Sequence, residues 1–91
     1  MYYIVGDIGN TSTRVCLFNN NLIKKSIFFN TKKVFLKGYV KNILKKFSKK
    51  NLRREILFSC VVPLALKKVK QELNKTNYRV KETSMYGRKW L

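Results

Sequence analysis

The fold of this chain is decided by a polar stretch near its start, Asp7-Ile8-Gly9-Asn10-Thr11-Ser12-Thr13. An apolar run, residues 2–5, leads into it, and a run rich in β-branched and apolar side chains, residues 13–18, leads out of it. Two such runs joined by a short polar turn are typical of a β-hairpin. Asp, Gly, Asn and Thr also form turns for purely conformational reasons, so an ordinary hairpin is the alternative to a functional one.

The residue types of this turn suit a phosphate group. Gly9 lets the backbone come close to a ligand. Four amide or hydroxyl side chains follow it, from Asn10 to Thr13, and they supply hydrogen-bond donors beside several successive backbone N–H groups. Asp7 stands at the end of the first strand, where its carboxylate can hold or orient a hydrated Mg²⁺. We therefore predict a phosphate-binding hairpin over residues 7–14.

The composition allows one small domain with a strongly basic surface. The chain has 91 residues, with 21 Lys and Arg against 4 Asp and Glu, a formal net charge of +17. Such a charge attracts nucleic acids and acidic membranes. It is also what compositional drift toward lysine produces, and the even spread of basic residues along the chain favours drift. No specific nucleic-acid partner is predicted.

The cysteines and the longest apolar stretch give no sign of a metal, a disulfide or a membrane span. Cys16 and Cys60 lie far apart in apolar strands and the chain has no histidine, which excludes a Cys/His metal site. Free thiols are expected in a reducing cytosol, so we predict a cytoplasmic protein without a secretory signal. The stretch 56–66 contains Ser59 and Pro63 and is too short to span a bilayer.

Periodicity predicts the order β-β-β-α-β-α-β. Asn19, Asn20 and Asn21 predict a turn with positive φ, and Lys24-Lys25 in the third strand predict an edge position. Asn30 or Thr31 is expected to cap the element that follows. The predicted strands cover about 2–7, 13–19, 22–30, 55–62 and 78–81, with helices over 34–47 and 63–75. This order predicts an α/β fold, a mixed sheet with helices on its faces.

Two motifs in this order resemble a known family. A D-x-G-x-T hairpin followed by these elements resembles one lobe of the actin-like ATPase superfamily, with its ribonuclease-H-like fold, which includes sugar kinases and heat-shock chaperones. Residues 7–13 resemble the D-x-G-N-T-x-T phosphate loop of type III pantothenate kinases, a family that includes the Bvg accessory factors. Ser59-Cys60-Val61-Val62-Pro63 is similar to that family's S-S-V-V-P segment. The resemblance covers about residues 2–80.

The resemblance implies a kinase that transfers the γ-phosphate of ATP to pantothenate, the first step of coenzyme A synthesis. It implies a cytoplasmic homodimer that uses Mg²⁺ and a monovalent cation, K⁺ or NH₄⁺. Asp7 would place the Mg²⁺, while Asn10, Thr11 and Thr13 would hold phosphate oxygens. The ATP-binding residues implied are Asp7, Ile8, Gly9, Asn10, Thr11, Ser12, Thr13 and Arg14.

The sequence departs from the family pattern in two respects. Gly6 stands where the family usually has an aliphatic residue, and we expect it to loosen the strand before Asp7. The family also continues into a second lobe, whose G-x-D-R-type segment carries the general base and the pantothenate contacts, and no such segment occurs here. We therefore expect an ATPase-type lobe over residues 1–82 and an irregular tail over 83–91 that begins a missing second lobe, supplied in cis or in trans. No catalytic residue is predicted, and the chain alone should be close to inactive.

Two alternatives stay open at this point. The first is a small basic module that binds nucleic acid, which the charge and 12 aromatic residues suggest. The second is an inactive remnant of a truncated gene, which predicts a poorly folded chain with Trp90 in water.

Overall fold

A computed structural model describes residues 1–47 and 49–83 of the chain. They form a five-stranded sheet of order β3-β2-β1-β4-β5, in which the β1–β2 and β2–β3 pairs are antiparallel and the β1–β4 and β4–β5 pairs are parallel. The predicted element order is confirmed. The elements are β1 (Tyr2–Ile8), β2 (Ser12–Asn19), β3 (Leu22–Asn30), a 3₁₀ helix (Thr31–Phe35), α1 (Tyr39–Lys45), β4 (Glu55–Cys60), α2 (Pro63–Leu73) and β5 (Arg79–Thr83).

Local sequence signals explain most of the turns. The β2–β3 turn places Asn20 at φ 53° and Asn21 at φ 68°, as their tolerance of this region predicts. β3 is an edge strand, as its two central lysines predict. Asn30 caps the 3₁₀ helix, because its side-chain oxygen accepts a hydrogen bond from the N–H of Lys32. Pro63 begins α2, where its missing N–H has no intrahelical partner to lose.

The predicted helix over 34–47 is wrong in its extent. The chain forms the 3₁₀ helix first, leaves helical geometry at Leu36, and begins α1 only at Tyr39. Gly38 separates the two elements with a left-handed φ of 78°. That conformation interrupts a right-handed helix at small cost only for glycine. Lys37 therefore lies outside the helix, whereas Lys41 and Lys45 lie within α1, four residues apart.

Both helices pack on one face of the sheet in the described residues. The crossovers from β3 to β4 and from β4 to β5 move in the same direction, so a common right-handed connection brings α1 and α2 to the same side. Ile4, Ile8 and Leu17 face them from the sheet and are at most 2% exposed. The same core contains Val40, Ile43, Leu44, Phe47, Ile56, Phe58, Ala65, Leu66, Val69 and Leu73.

The opposite side of the sheet, here called the open face, carries a second and smaller cluster. Val5, Cys16 and Phe18 are buried there, with Tyr3 and Leu57 packed against them. The Tyr3 and Phe18 rings stack at 5.2 Å between centroids. The strands at this point are therefore apolar on both faces, as the sequence of β4 predicts for the centre of a sheet.

Gly6 has a packing role that the sequence reading missed. It pairs with Phe58 in the parallel β1–β4 ladder, and a Cβ atom at Gly6 would lie 2.2 Å from Cε1 of that ring. Gly6 therefore makes room for an aromatic core residue instead of merely loosening β1.

Trp90 and nearly all of the predicted tail lie outside the described residues, and β5 itself extends to Thr83. Among the described residues, no helix has the length and apolar character needed to cross a bilayer.

Candidate phosphate-binding site

The predicted loop lies at the tip of the β1–β2 hairpin, beside the carboxyl end of β4. Asp7 is half-buried and pairs with Arg14 across the antiparallel ladder and with Ser59 across the parallel ladder. The N–H of Val61 donates to the carbonyl oxygen of Ile8 at 3.0 Å, which extends the contact between the two strands by one residue. Ligands of open α/β sheets bind beyond the carboxyl ends of parallel strands, which is the location of this loop.

Gly9 makes the tight turn that exposes the tip. Its N–H donates to the carbonyl oxygen of Ser12 at 3.0 Å, and a Cβ atom at this position would lie 2.9 Å from that same oxygen. A larger residue would therefore push the turn open. Asn10, Thr11 and Ser12 are exposed at the tip, so their amide and hydroxyl groups face solvent.

Thr31 holds the backbone of the hairpin loop in place through hydrogen bonds, a role that the sequence did not reveal. Its N–H donates to the carbonyl oxygen of Thr11 at 2.9 Å, and its hydroxyl donates to the carbonyl oxygen of Gly9 at 2.7 Å. The hydroxyls of Thr31 and Thr13 lie 2.9 Å apart, and both side chains are buried. Because Thr31 donates its single hydroxyl proton to Gly9, Thr13 must be the donor between the two threonines. Thr13 thus supports the loop from inside, and Ile8 is wholly buried beside it.

Arg14 is held on the open face, one strand away from Asp7. Its guanidinium group lies 5.1 Å from the ring centroid of Phe28 and within 3.4 Å of the Ser26 hydroxyl. Stacking and hydrogen bonding together limit the freedom of this side chain. The sequence predicted Arg14 as part of the loop, but β3 supplies the contacts that position it.

Cys60 ends β4 close to this site, but its surroundings keep the thiol protonated and do not activate it. Burial raises its pKa above the usual 9.0, against the effect of backbone hydrogen bonds, and the thiol donates to the carbonyl oxygen of Val62 at 3.0 Å. A protonated thiol is a poor nucleophile and a poor metal ligand. No cluster of three His, Cys, Asp or Glu side chains suited to a metal occurs among residues 1–47 and 49–83.

We expect iodoacetamide to alkylate Cys60 more slowly than free cysteine at pH 7.5. Since the pKa is raised, the thiolate fraction stays low at neutral pH and grows only as the pH passes 9. Mass spectrometry of the modified peptide measures the rate, and the Cys60→Ser variant gives the background from the buried Cys16. A rate equal to that of free cysteine would contradict the assignment.

Replacing Thr31 with valine should loosen the hairpin. The variant keeps the shape of the side chain but leaves the Gly9 carbonyl and the Thr13 hydroxyl without their buried partner. We expect a loss of about 1–3 kcal/mol in the free energy of unfolding, with faster amide exchange at residues 9–13. Thr76→Val is the matched control, because Thr76 donates to Leu73 at the end of α2. Thr76→Val should leave amide exchange at residues 9–13 of the hairpin unchanged.

A sequence model of the type III pantothenate kinase family matches residues 3–88. The chain belongs to this family. The type III pantothenate kinase of Pelagibacter ubique (strain HTCC1062) is 39% identical over 79 residues, which cover 86% of this chain and 32% of that relative. The chain thus spans about a third of the length of the curated relative it matches.

Solved structures agree on the fold. Two structures of the Ppx/GppA protein of Aquifex aeolicus superpose with a TM-score of 0.51 at 11% identity, covering 92% and 93% of this chain and 36% and 35% of theirs. These proteins have the actin-like ATPase fold, so the predicted fold class is confirmed. The family match includes both the hairpin and the β4–α2 junction, the two segments that carried the resemblance.

Proposed function

We propose that this chain supplies the phosphate-binding part of an ATP-dependent pantothenate kinase, which acts in coenzyme A synthesis. The observation that carries the proposal is the construction of the hairpin tip. Asn10, Thr11 and Ser12 are exposed, Thr31 fixes the backbone beneath them, and Asp7 stands at the adjoining strand end. A rigid set of donors beside one carboxylate is what binding of a metal–nucleotide complex requires.

The residues have separate roles in this proposal. The side chains of Asn10, Thr11 and Ser12 donate to phosphate oxygens, and Gly9 permits close approach of the backbone. Thr13 and the buried Ile8 hold the loop in shape. Arg14, fixed against Phe28, adds positive charge near the phosphates. Phosphoryl transfer depends chiefly on such positioning and charge stabilisation.

The donor set at Asp7 fits Mg²⁺ that arrives with the nucleotide. Mg²⁺ keeps several waters and commonly binds through one or two carboxylates and substrate phosphates. Asp7 offers one half-buried carboxylate, with exposed oxygen and amide groups of the tip nearby. When bound there, the ion would neutralise charge on the transferred phosphoryl group. The monovalent cation, the cytoplasmic location and the homodimer enter the proposal from the family alone.

The acceptor half of the reaction needs residues beyond those of this site. Two of the other acidic residues stand away from the tip, since Glu55 begins β4 at its opposite end and Glu72 lies on α2. Glu82 lies toward the carboxyl end of β5, two strands away from Asp7 in the sheet order. None of them adjoins the hairpin in the sheet, where a base would have to meet a pantothenate hydroxyl. We therefore propose that a second lobe, in cis or in trans, supplies the general base and the pantothenate contacts.

The first test is a titration of the ¹⁵N-labelled chain with ATP and Mg²⁺. We expect chemical-shift changes at residues 7–14 at millimolar nucleotide, without phosphorylation of added pantothenate by this chain alone. Adenosine with Mg²⁺ is the control, because it has no phosphates and should leave the hairpin signals unchanged. No shift in the hairpin at millimolar ATP would overturn the proposal.

A second candidate function is binding of a polyanion such as RNA. The observation that favours it is a cleft of about 420 Å³ between α1 and α2, lined by Lys37, Lys41, Lys68 and Lys75 with Glu72. Replacing Lys41 and Lys68 with glutamine should then reduce RNA affinity and the slope of its salt dependence. The matched control replaces Lys24 and Lys81, which lie on strands. Equal losses in the two double variants would indicate attraction by net charge alone.

A further inference from the structure

The ladder register places polar residues in one row across four strands of the open face. Each of these residues pairs with the next one across a ladder, and we call them the polar row. They are Arg14 on β2, Asp7 on β1, Ser59 on β4 and Thr83 on β5. The neighbouring row on the same face contains Val5, Leu57 and Lys81, each two residues earlier on the parallel strands, and Cys16, which lies two residues later on the antiparallel β2. The change from mainly apolar to polar therefore occurs at the carboxyl ends of the parallel strands. Ser59 is the member of the polar row that is fully buried.

Ser59 is an unusual residue for its surroundings. Its side chain is 0% exposed, and its hydroxyl oxygen is buried without a hydrogen-bond partner among the described residues. Leu57 and Phe58 precede it, and Cys60 and Val61 follow it. A buried hydroxyl without a partner destabilises a fold, and native proteins contain few of them. A small apolar residue would satisfy packing alone better than serine does.

The position of Ser59 relative to Asp7 suggests what the hydroxyl does. Residues paired across adjacent strands lie about 4.8 Å apart and project to the same face, so the Ser59 hydroxyl is within one side-chain rotation of the Asp7 carboxylate. A hydroxyl that donates to a carboxylate fixes its orientation and leaves the second oxygen for a cation or its water.

We propose that Ser59 is a positioning residue for Asp7. When the metal–nucleotide complex binds at the hairpin, the Ser59 hydroxyl donates a hydrogen bond to one carboxylate oxygen of Asp7 and directs the other toward the ligand. The inference rests on the proposed function, since it assigns Ser59 to the same site. It also explains why a polar residue interrupts the apolar run of β4.

The test compares stability with affinity in the Ser59→Ala chain. Removing a hydroxyl without a partner should leave the thermal midpoint of the ligand-free protein unchanged or raise it. The same change should weaken binding of ATP with Mg²⁺ about three- to tenfold, followed by the shifts at residues 7–14. Ser59→Cys, which places a somewhat larger and only weakly donating thiol at the same position, should lose affinity in the same way. A residue with a packing role alone would change stability and not affinity.

A double variant shows whether the effect passes through Asp7. In the Asp7→Asn background, Ser59→Ala should cause no further loss of affinity. Equal affinities for the wild-type and Ser59→Ala chains would overturn the inference and leave the proposed function standing. A wild-type chain that gives no hairpin shifts with ATP and Mg²⁺ would overturn the proposed function and this inference with it.

Discussion

Asp7→Asn should weaken binding of ATP about tenfold in the presence of Mg²⁺, a loss of about 1.4 kcal/mol. The change keeps the size of the side chain and removes the charge through which Asp7 would hold the hydrated ion. Net charge alone predicts the opposite result. The substitution makes a chain of formal charge +17 more positive by one, which should strengthen attraction to a nucleotide. A decrease in affinity therefore reports a specific contact.

Removing Mg²⁺ should reverse the sign of this effect. Without the ion, the Asp7 carboxylate repels the phosphates, so in EDTA the Asp7→Asn chain should bind ATP at least as tightly as the wild type. Isothermal titration calorimetry at fixed ionic strength measures both conditions. Glu55→Gln is the matched control, because it makes the same change of charge at the opposite end of β4. If Glu55→Gln lowers the Mg²⁺-dependent affinity as much as Asp7→Asn does, Asp7 is not the metal-placing residue.

The strands and the hairpin were predictable because their signals are local. The signals are the apolar run 2–5, the β-branched and apolar run 13–18, the turn residues after Asp7, and the proline at the start of α2, and each acts over a few neighbours. The register then follows from the hairpin, since pairing Asp7 with Arg14 leaves no freedom along β1 and β2. The α/β class and the mixed sheet therefore follow from local signals, whereas the ribonuclease-H-like fold rests on the resemblance to the kinase family.

Features that depend on distant residues were not predictable. Thr31 supports the loop through contacts 18 and 22 residues along the chain, and no pattern around Thr31 indicates its partners. Arg14 depends in the same way on Ser26 and Phe28 of β3. The break before α1 was missed for a different reason. Apolar spacing continues through Gly38, and the left-handed conformation of that glycine overrides the period.

Gly6→Ala tests another contact between residues far apart in the chain, the packing of Phe58 against Gly6. A Cβ atom at Gly6 would lie 2.2 Å from Cε1 and 2.5 Å from Cδ1 of Phe58, which is 1% exposed in the core. Either the ring or β1 must move, and overpacking of this kind costs about 3 kcal/mol at the upper end of its usual range. For a domain of this size we expect the thermal midpoint to fall by roughly 15 °C. Differential scanning calorimetry measures the change.

Two further variants separate the clash from a general loss of glycine. At Gly38 an added Cβ atom has no neighbour within 4 Å, so Gly38→Ala should cost only the penalty of a left-handed backbone, about 1–2 kcal/mol. Combining Gly6→Ala with Phe58→Leu should restore part of the stability, because the smaller side chain vacates the space that the new methyl group needs. Strictly additive losses would mean that the ring does not lie over Gly6.

Because Gly6 directly precedes Asp7, the same clash should also displace the Asp7 carboxylate. Gly6→Ala should therefore lose the Mg²⁺-dependent part of nucleotide binding, and the double variant with Phe58→Leu should regain some of it.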